Sequence, residues 1–248
     1  MSISATVITK NEAALIRTCL DSLTWVDEII VVDSGSTDGT VEICQEYTDK
    51  VMVTDWPGFG PQKNRAVGMA TKEWVLSLDA DECVTLELRH ELQAAMTDPG
   101  NYAAFAMPRR STYCGKSMRH SGWWPDYVAR LFRRGQACFS DDIVHERLIV
   151  DGPVGRLRQP LLHEAFRDLN EVLDTMNRYS TAGARMMQER KEQAGLSTAL
   201  LHGLWSFLST YVLRAGFLDG REGFMLAVAN AEGTYYKYLK LLLMSEKK

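Results

Sequence analysis

The chain lacks the features that announce several common chemistries. Its five cysteines (Cys19, Cys44, Cys83, Cys114 and Cys138) are odd in number and include no CxxC pair. Neither a disulfide framework nor a zinc site is suggested, and reduced thiols in a cytosolic protein fit best. No GxxxxGKS or GxxxxGKT occurs, which removes the P-loop. Gly58-Phe59-Gly60 has no third glycine and follows the wrong strand for a dinucleotide fingerprint. No GxSxG elbow is present. Basic charge is not in excess: the net charge of -4 argues against a nucleic-acid binder. Linkers rich in Pro, Gly or Ser, internal repeats and low-complexity tracts are missing as well. The N-terminus has neither a basic n-region nor a long apolar h-region, so no signal peptide is expected.

What is present begins with an apolar run that ends in acids, Trp74-Val75-Leu76-Ser77-Leu78-Asp79-Ala80-Asp81-Glu82. The run reads as a buried strand with two carboxylates at its C-terminal end. Ligands bind at that edge of open α/β sheets. Gathered carboxylates need a positive neighbour, and a divalent cation that also holds phosphate is the natural candidate. The plainer alternative is a turn and a helix cap. A dehalogenase-type phosphatase would carry Thr two residues beyond the second Asp; here that position is Cys83.

The first 100 residues alternate strand and helix. Strands are predicted over Ile3–Thr9, Glu28–Asp33, Val51–Asp55 and the run into Asp79. Helices are predicted over Asn11–Leu23, from about Thr40, and over about Gln62–Thr71. This order implies βαβ units and a parallel sheet. Asn11 and Glu12, Asp33, and Asp79 then occupy three strand-to-helix junctions on one edge. Further strands are predicted at Tyr102–Pro108 and Val128–Phe132, and a nearly all-helical tail from Asp168 to about Leu243. Charge is uneven. Residues 1–100 carry 7 Lys and Arg against 17 Asp and Glu, and residues 101–160 carry 10 against 5.

Three motifs in order, Thr6-Val7-Ile8-Thr9-Lys10-Asn11-Glu12, Val31-Val32-Asp33-Ser34-Gly35-Ser36-Thr37-Asp38-Gly39-Thr40 and Leu78-Asp79-Ala80-Asp81-Glu82, resemble family 2 glycosyltransferases of the GT-A fold. Arg130-Leu131-Phe132-Arg133-Arg134-Gly135 with Val144-His145-Glu146 is similar to bacterial lipopolysaccharide inner-core glucosyltransferases. So is Gly216-Phe217-Leu218-Asp219-Gly220-Arg221-Glu222-Gly223 with Tyr236-Lys237-Tyr238. The resemblance implies a Rossmann-like, mostly parallel α/β sheet flanked by helices. It divides the chain into a catalytic domain over residues 1–165 and a helical extension over 166–248. Within the former, 1–100 would bind nucleotide and 101–165 would face the acceptor.

The same resemblance implies roles. Asp33 would accept a hydrogen bond from uracil, with Thr9, Asn11 and Glu12 lining that pocket. Lys63 and Arg65 would approach the nucleotide or its phosphates; a solvated helix face is the alternative. Asp79 would contact ribose or metal, Asp81 would ligate Mg²⁺ or Mn²⁺, and His163 would reach the metal or diphosphate. Glu146 is the first choice for the base and Asp126 the second, with Asp141 and Asp142 expected in an exposed turn. His145 would orient Glu146 or merely pack. The implied reaction is inverting transfer from a UDP-sugar, UDP-glucose first, to a core heptose. Other acceptors (a polyprenyl phosphate, a capsule glycan or an exopolysaccharide) and a binding protein without turnover are the alternatives.

Leu196–Leu213 contains no Lys, Arg, Asp or Glu. Leu200, Leu201, Leu204, Phe207, Leu208, Tyr211 and Val212 fall at helical spacing on one face. A core-packing helix and a helix lying on the inner face of the bacterial inner membrane both fit. In the second case the acceptor would be a lipid-linked anionic glycan. The basic block (Arg109, Arg110, Lys116, Arg119, Arg130, Arg133 and Arg134) would then face its anionic groups.

Overall fold

The computed structural model describes residues 1–141 and 146–246. By its contacts the chain divides into two compact units, residues 1–109 with 126–163, and residues 110–125 with 164–248.

The first unit is built on β1 (Ile3–Thr9), whose seven residues are all buried. β1 pairs in parallel with β2 (Glu28–Asp33) on one side and β4 (Trp74–Asp79) on the other. β3 (Val51–Val53) extends the parallel half beyond β2. Buried on both faces, such strands read as continuous apolar runs, which is why β1, β2 and β4 were visible in sequence. The other half is antiparallel. β8 (Asp126–Arg133) lies against β4, and β6 (Ala104–Tyr113) lies against β8. β12 (Leu161–Phe166) pairs antiparallel with β5 (Glu82–Val84). The sheet is therefore mixed, with its parallel half formed by the first four strands.

Helices cover both faces. α1 (Ile16–Asp21) and α4 (Leu86–Thr97) bury Leu20, Leu88 and Leu92 with Val7, Leu76 and Leu78. α3 (Phe59–Met69) lays Ala66 on Ile8 and Val32 across the sheet. α2 (Thr40–Gln45) joins β2 to β3. Short strands β9 (Ala137–Phe139) and β10 (Leu148–Val150) form a separate antiparallel pair, and β11 (Val154–Arg156) runs parallel to β6.

Two boundaries differ from the sequence reading for local reasons. The first helix begins at Ile16 rather than Asn11, because Asn11 takes a left-handed φ of 55° and bonds a neighbouring loop instead. β6 runs past Pro108 to Tyr113. Proline blocks only its own N–H, and the strand continues beyond it.

The second unit holds α5 (Leu169–Glu189), α6 (Leu196–Leu208) and α7 (Gly220–Glu246), plus β7 (Lys116–Ser117) beside the end of β6. A π turn (Ser209–Leu213) and a 3₁₀ turn (Gly216–Asp219) join α6 to α7. Its core gathers Tyr113, Met118, Val172 and Leu226. Buried Asp219 ties down the 116–121 segment, accepting the N–H groups of Arg119 at 3.0 Å and His120 at 2.9 Å.

Candidate active site

Parallel register levels the strand ends. Thr9 lies opposite Asp33, and Ile8 opposite Asp79, so β1, β2 and β4 open onto one edge. Asp33 is fully buried there. One of its oxygens accepts the Gly35 and Ser36 N–H groups, each at 2.8 Å, and the other accepts the Ser36 hydroxyl at 2.5 Å. In this arrangement Asp33 caps its own loop. Asn11 stitches that loop to the one after β1: its side-chain oxygen accepts the Thr37 N–H at 2.9 Å, and its N–H donates to Ser36 Oγ at 2.7 Å. The Glu12 N–H donates to Thr40 Oγ1 at 2.9 Å. The Thr9 hydroxyl is sealed from solvent and has no hydrogen-bond partner among the described residues.

On α3, four consecutive polar residues each do something different. Gln62 is buried and donates to Ser34 Oγ at 2.9 Å. Lys63 is buried and reaches Asp79 at 2.8 Å and Glu146 at 2.7 Å. The Asn64 amide clasps the Phe139 backbone, donating to its carbonyl and accepting its N–H, both at 2.8 Å. Arg65 faces outward to Asp55 at 2.7 Å. Lys63 is thus not on a solvated face, and Arg65 is half-buried on the outer side, held by Thr54, Asp55 and Gln62. The Asn64 clasp fixes the chain leading to residue 140 against α3. Gly60 permits the approach, since a Cβ there would lie 1.8 Å from the Ser140 carbonyl oxygen. Together they bring Glu146, 83 positions away, to Lys63. The sequence offered the Gln-Lys-Asn-Arg run as a signal, but nothing that paired Asn64 with Phe139.

Lys63 belongs to a chain of alternating charges. Glu146 meets Lys63, Lys63 meets Asp79, and Asp79 meets Arg130 at 2.5 Å. Arg130 also meets Glu82 at 2.6 Å, Glu82 lies 3.6 Å from Arg109, and Arg109 meets Asp126 at 2.7 Å. The two candidate bases sit at opposite ends of this chain. Burial pushes the Asp79 carboxyl up, but Arg130 and Lys63 outweigh it and hold the group well below the usual carboxylate range. Burial disfavours the charged Arg130 guanidinium, yet Asp79 and Glu82 raise its affinity for its proton above the ordinary value.

The expectation that the basic block faces an anionic partner is corrected here for Arg130, which is buried, while Arg109 and Arg133 form partly exposed pairs. Arg130 is buried between Asp79 and Glu82, Arg109 is engaged by Asp126, and Arg133 pairs with Glu73 at 3.1 Å. Unpaired buried carboxylates are costly, and the cations that balance them come from three elements, Lys63 from α3, Arg109 from β6 and Arg130 from β8. Glu82 stood in the acidic motif of the sequence but was given no role there. It is fully buried and accepts the Asp79 N–H at 3.0 Å. An arginine inside the apolar stretch of β8 was the available signal for a buried acid.

Both Asp79 oxygens are engaged by protein cations. Asp81 differs. One of its oxygens is sealed and unpartnered among the described residues, and the other lies 3.4 Å from His163 Nε2. β12 brings His163 there by pairing it with Glu82. Among the described residues no group of three or more His, Cys, Asp or Glu forms a closed metal site. One carboxylate and one imidazole, with an unmatched oxygen between two strands, do fit an open site completed by phosphate oxygens. Asp141 is exposed, while Asp142 and His145 lie outside the described residues.

Comparison with known proteins is consistent across methods. The model of glycosyl transferase family 2 matches residues 4–149. An uncharacterised glycosyltransferase of Rickettsia prowazekii is 28% identical over 257 residues, covering 99% of this chain and 88% of its own length. The lipopolysaccharide core biosynthesis glycosyltransferase LpsC of Rhizobium meliloti is 30% identical over 243 residues, covering 93% and 88%. Among solved structures, S. aureus TarS 1–349 in complex with UDP-GlcNAc aligns with a TM-score of 0.51 and 14% identity, covering 100% of this chain and 92% of that one. The mannosyltransferase PcManGT of Pyrobaculum calidifontis, in complex with GDP-Man and Mn²⁺, aligns with a TM-score of 0.51 and 16% identity, covering 94% and 73%. At those identities the structural likeness speaks for the fold.

Proposed function

Because the chain belongs to glycosyl transferase family 2 and is a glycosyltransferase of GT-A fold, we propose that it transfers a hexose, glucose first, from a UDP-sugar to the heptose of a lipopolysaccharide inner core with inversion. The observation that carries the reading is Asp81, whose unmatched oxygen and His163 neighbour sit two residues beyond a carboxylate already neutralised by Lys63 and Arg130. The acceptor is supported by LpsC, a relative named for lipopolysaccharide core biosynthesis.

In this reading the loops after β1 and β2 form the nucleotide pocket. Asp33 holds loop 33–36 in shape and would accept the uracil N–H in place of the Ser36 hydroxyl, with Thr9, Asn11 and Glu12 beside it. Asp79 stands at the ribose side, fixed by its two cations. Asp81 and His163 hold Mg²⁺ or Mn²⁺, which when bound supplies Lewis-acid neutralisation of the charge that grows on the leaving diphosphate. Lys63 adds a fixed positive charge close by. Arg65, paired outward with Asp55, stands at the pocket's outer side.

On the acceptor side Glu146 takes the proton of the attacking hydroxyl as the new glycosidic bond forms and the bond to UDP breaks. Lys63 positions that carboxylate. A general base of this kind contributes about 10²–10⁴-fold. Asp126 is the second candidate. Its Oδ2 accepts from Arg109 Nε at 3.0 Å and Nη2 at 2.7 Å, so that oxygen is already engaged by two donors.

The test is a donor screen against truncated core oligosaccharides, reading turnover and product anomer. A β-linked glucose on a heptose supports the reading. An α-linked product ends the inverting assignment. Turnover only with a polyprenyl phosphate or a capsule glycan moves the acceptor. Binding of UDP-glucose with no turnover on any acceptor makes the chain a sugar-nucleotide-binding protein.

A further inference from the structure

Helix α6 is turned inside out relative to a core helix. Its buried positions are Ala199 and Gly203, with Thr210 in the turn that follows. A Cβ on Gly203 would stand 3.3 Å from the Ala231 carbonyl oxygen and 3.2 Å from Tyr235 Cβ, so α6 rests on α7 through its smallest residues. The large apolar side chains point away. Leu196, Leu200, Leu201, Leu204, Trp205 and Leu208 are all exposed, Leu201 by 67% and Trp205 by 60%. Leu213, Phe217 and Leu218 carry the surface through the following turns. The core-packing alternative for this helix fails on that orientation. A continuous apolar surface of this kind on a folded chain marks a contact site.

Charge selects the partner. The stretch Leu196–Leu213 is long and apolar enough to cross a membrane and contains no ionisable Lys, Arg, Asp or Glu. At its C-terminal border Arg214 and Arg221 are exposed. Segment 110–125, tied to Arg214 by a 2.8 Å bond from the Ser121 N–H to its carbonyl, brings Arg110, Lys116 and Arg119 and no acid. The acids nearby are withdrawn. Asp219 is buried under the Arg119 and His120 N–H groups, and Glu222 is buried between two cations, Arg221 at 2.7 Å and Lys116 at 3.6 Å, which together keep an excess of positive charge. An apolar ridge with a basic border complements acyl chains beneath anionic phosphates. Before α6 the exposed charges balance, Glu189 and Glu192 against Arg190 and Lys191, so a second copy would bring no excess of acid to the basic border.

We infer that this face docks on an anionic lipid bilayer, with α6 lying in the plane of the interface. Its leucines and Trp205 enter the acyl boundary, and Arg119, Arg214 and Arg221 meet the phosphates. The helix lies flat rather than crossing because its small-residue face is packed on α7, whose Glu232, Lys237 and Lys240 would have to follow it into the hydrocarbon. The inference uses no residue of the candidate active site and stands whatever the sugar chemistry.

The experiment is vesicle flotation of the full chain. Vesicles of phosphatidylethanolamine with phosphatidylglycerol are compared with vesicles of phosphatidylcholine alone. The variants are L201Q/L204Q/W205Q and R214Q/R221Q. The wild type is expected to float with the anionic vesicles. Each lost apolar side chain reduces partitioning by roughly tenfold, and each lost arginine by about fivefold, the equivalent of about 1 kcal/mol per basic residue. All substituted residues are exposed, so thermal midpoints should stay with the wild type, which separates loss of docking from loss of fold. The inference is overturned by a wild type that stays at the bottom of the gradient with every vesicle. Flotation equal in the triple variant overturns it too. So does bound protein that resists alkaline carbonate, which would mean a crossing helix. A dimer in sedimentation velocity that the triple variant dissolves, with no vesicle binding, would assign the face to a second copy.

Discussion

Replacing Lys63 by methionine probes the arrangement most directly. Its ammonium is buried with two carboxylate partners, Asp79 at 2.8 Å and Glu146 at 2.7 Å, and it lies 5.3 Å from the centre of the Phe139 ring. Methionine fills a similar volume and removes the charge alone. Breaking a buried pair by deleting one partner costs about 3–5 kcal/mol, because the remaining charge is left uncompensated. Asp79 keeps Arg130, so the lower end of that range, about 3 kcal/mol, is expected. For a chain of this size each kcal/mol moves the midpoint by about 2–4 °C, giving a drop of about 6–12 °C in Tm. The decisive measurement is a double-mutant cycle in urea with Glu146→Gln. With Lys63 gone, neutralising Glu146 should recover part of the loss, so the two costs should fall short of additive by at least about 1 kcal/mol. Costs that add within about 0.5 kcal/mol, the behaviour of independent sites, would refute the contact. A Lys63→Met midpoint within 1–2 °C of wild type, the shift expected of about 0.5 kcal/mol, would refute the buried ion chain as a whole.

Asp81→Asn should lower kcat/KM by about 10³-fold, as several kcal/mol of transition-state charge stabilisation are lost. It should also weaken Mn²⁺ binding, read from the electron paramagnetic resonance of the free ion; wild-type affinity in the variant would remove Asp81 from the metal site. Glu146→Gln should cut kcat by about 10²–10⁴-fold with the donor KM little changed, and Asp126→Asn should cost less. The reverse order would make Asp126 the base. Glu28 tests the scaffold away from the site. It accepts from Ser4, Lys50 and Thr71, and although burial pushes its carboxyl up, those donors hold it down at about 2. Its folded value is below the unfolded value of about 4.3, so its stabilisation is complete above that pH and lost as pH falls toward 2. A shift of about two units corresponds to about 3 kcal/mol. Glu28→Gln should cost that much at pH 7 and progressively less below pH 4 in denaturant titrations, and a gap that does not change with pH would exclude the linkage.

Sequence alone determined the parallel half of the sheet, the edge at which Asn11, Asp33 and Asp79 emerge, and the family. Strands buried on both faces must be continuously apolar, and polar residues at their ends then stand out. Sequence also marked Asp81 as the acid two residues past the strand. It did not show that Asp79 is balanced by Lys63 and Arg130 while Asp81 keeps an unmatched oxygen, since those partners come from 16 and 51 positions away. Lys63 and Arg65 looked alike as basic residues on one helix. Two positions on a helix are about 200° apart, and only packing against β9 decided that Lys63 faces the carboxylates and Arg65 the Thr54–Asp55 segment. Periodicity likewise identified the apolar face of α6 but not its direction. That depended on α7, where Ala231 and Tyr235 leave room only for Gly203 and send the leucines outward. Local pattern fixes what each element can bury; what it does bury is set by partners far along the chain.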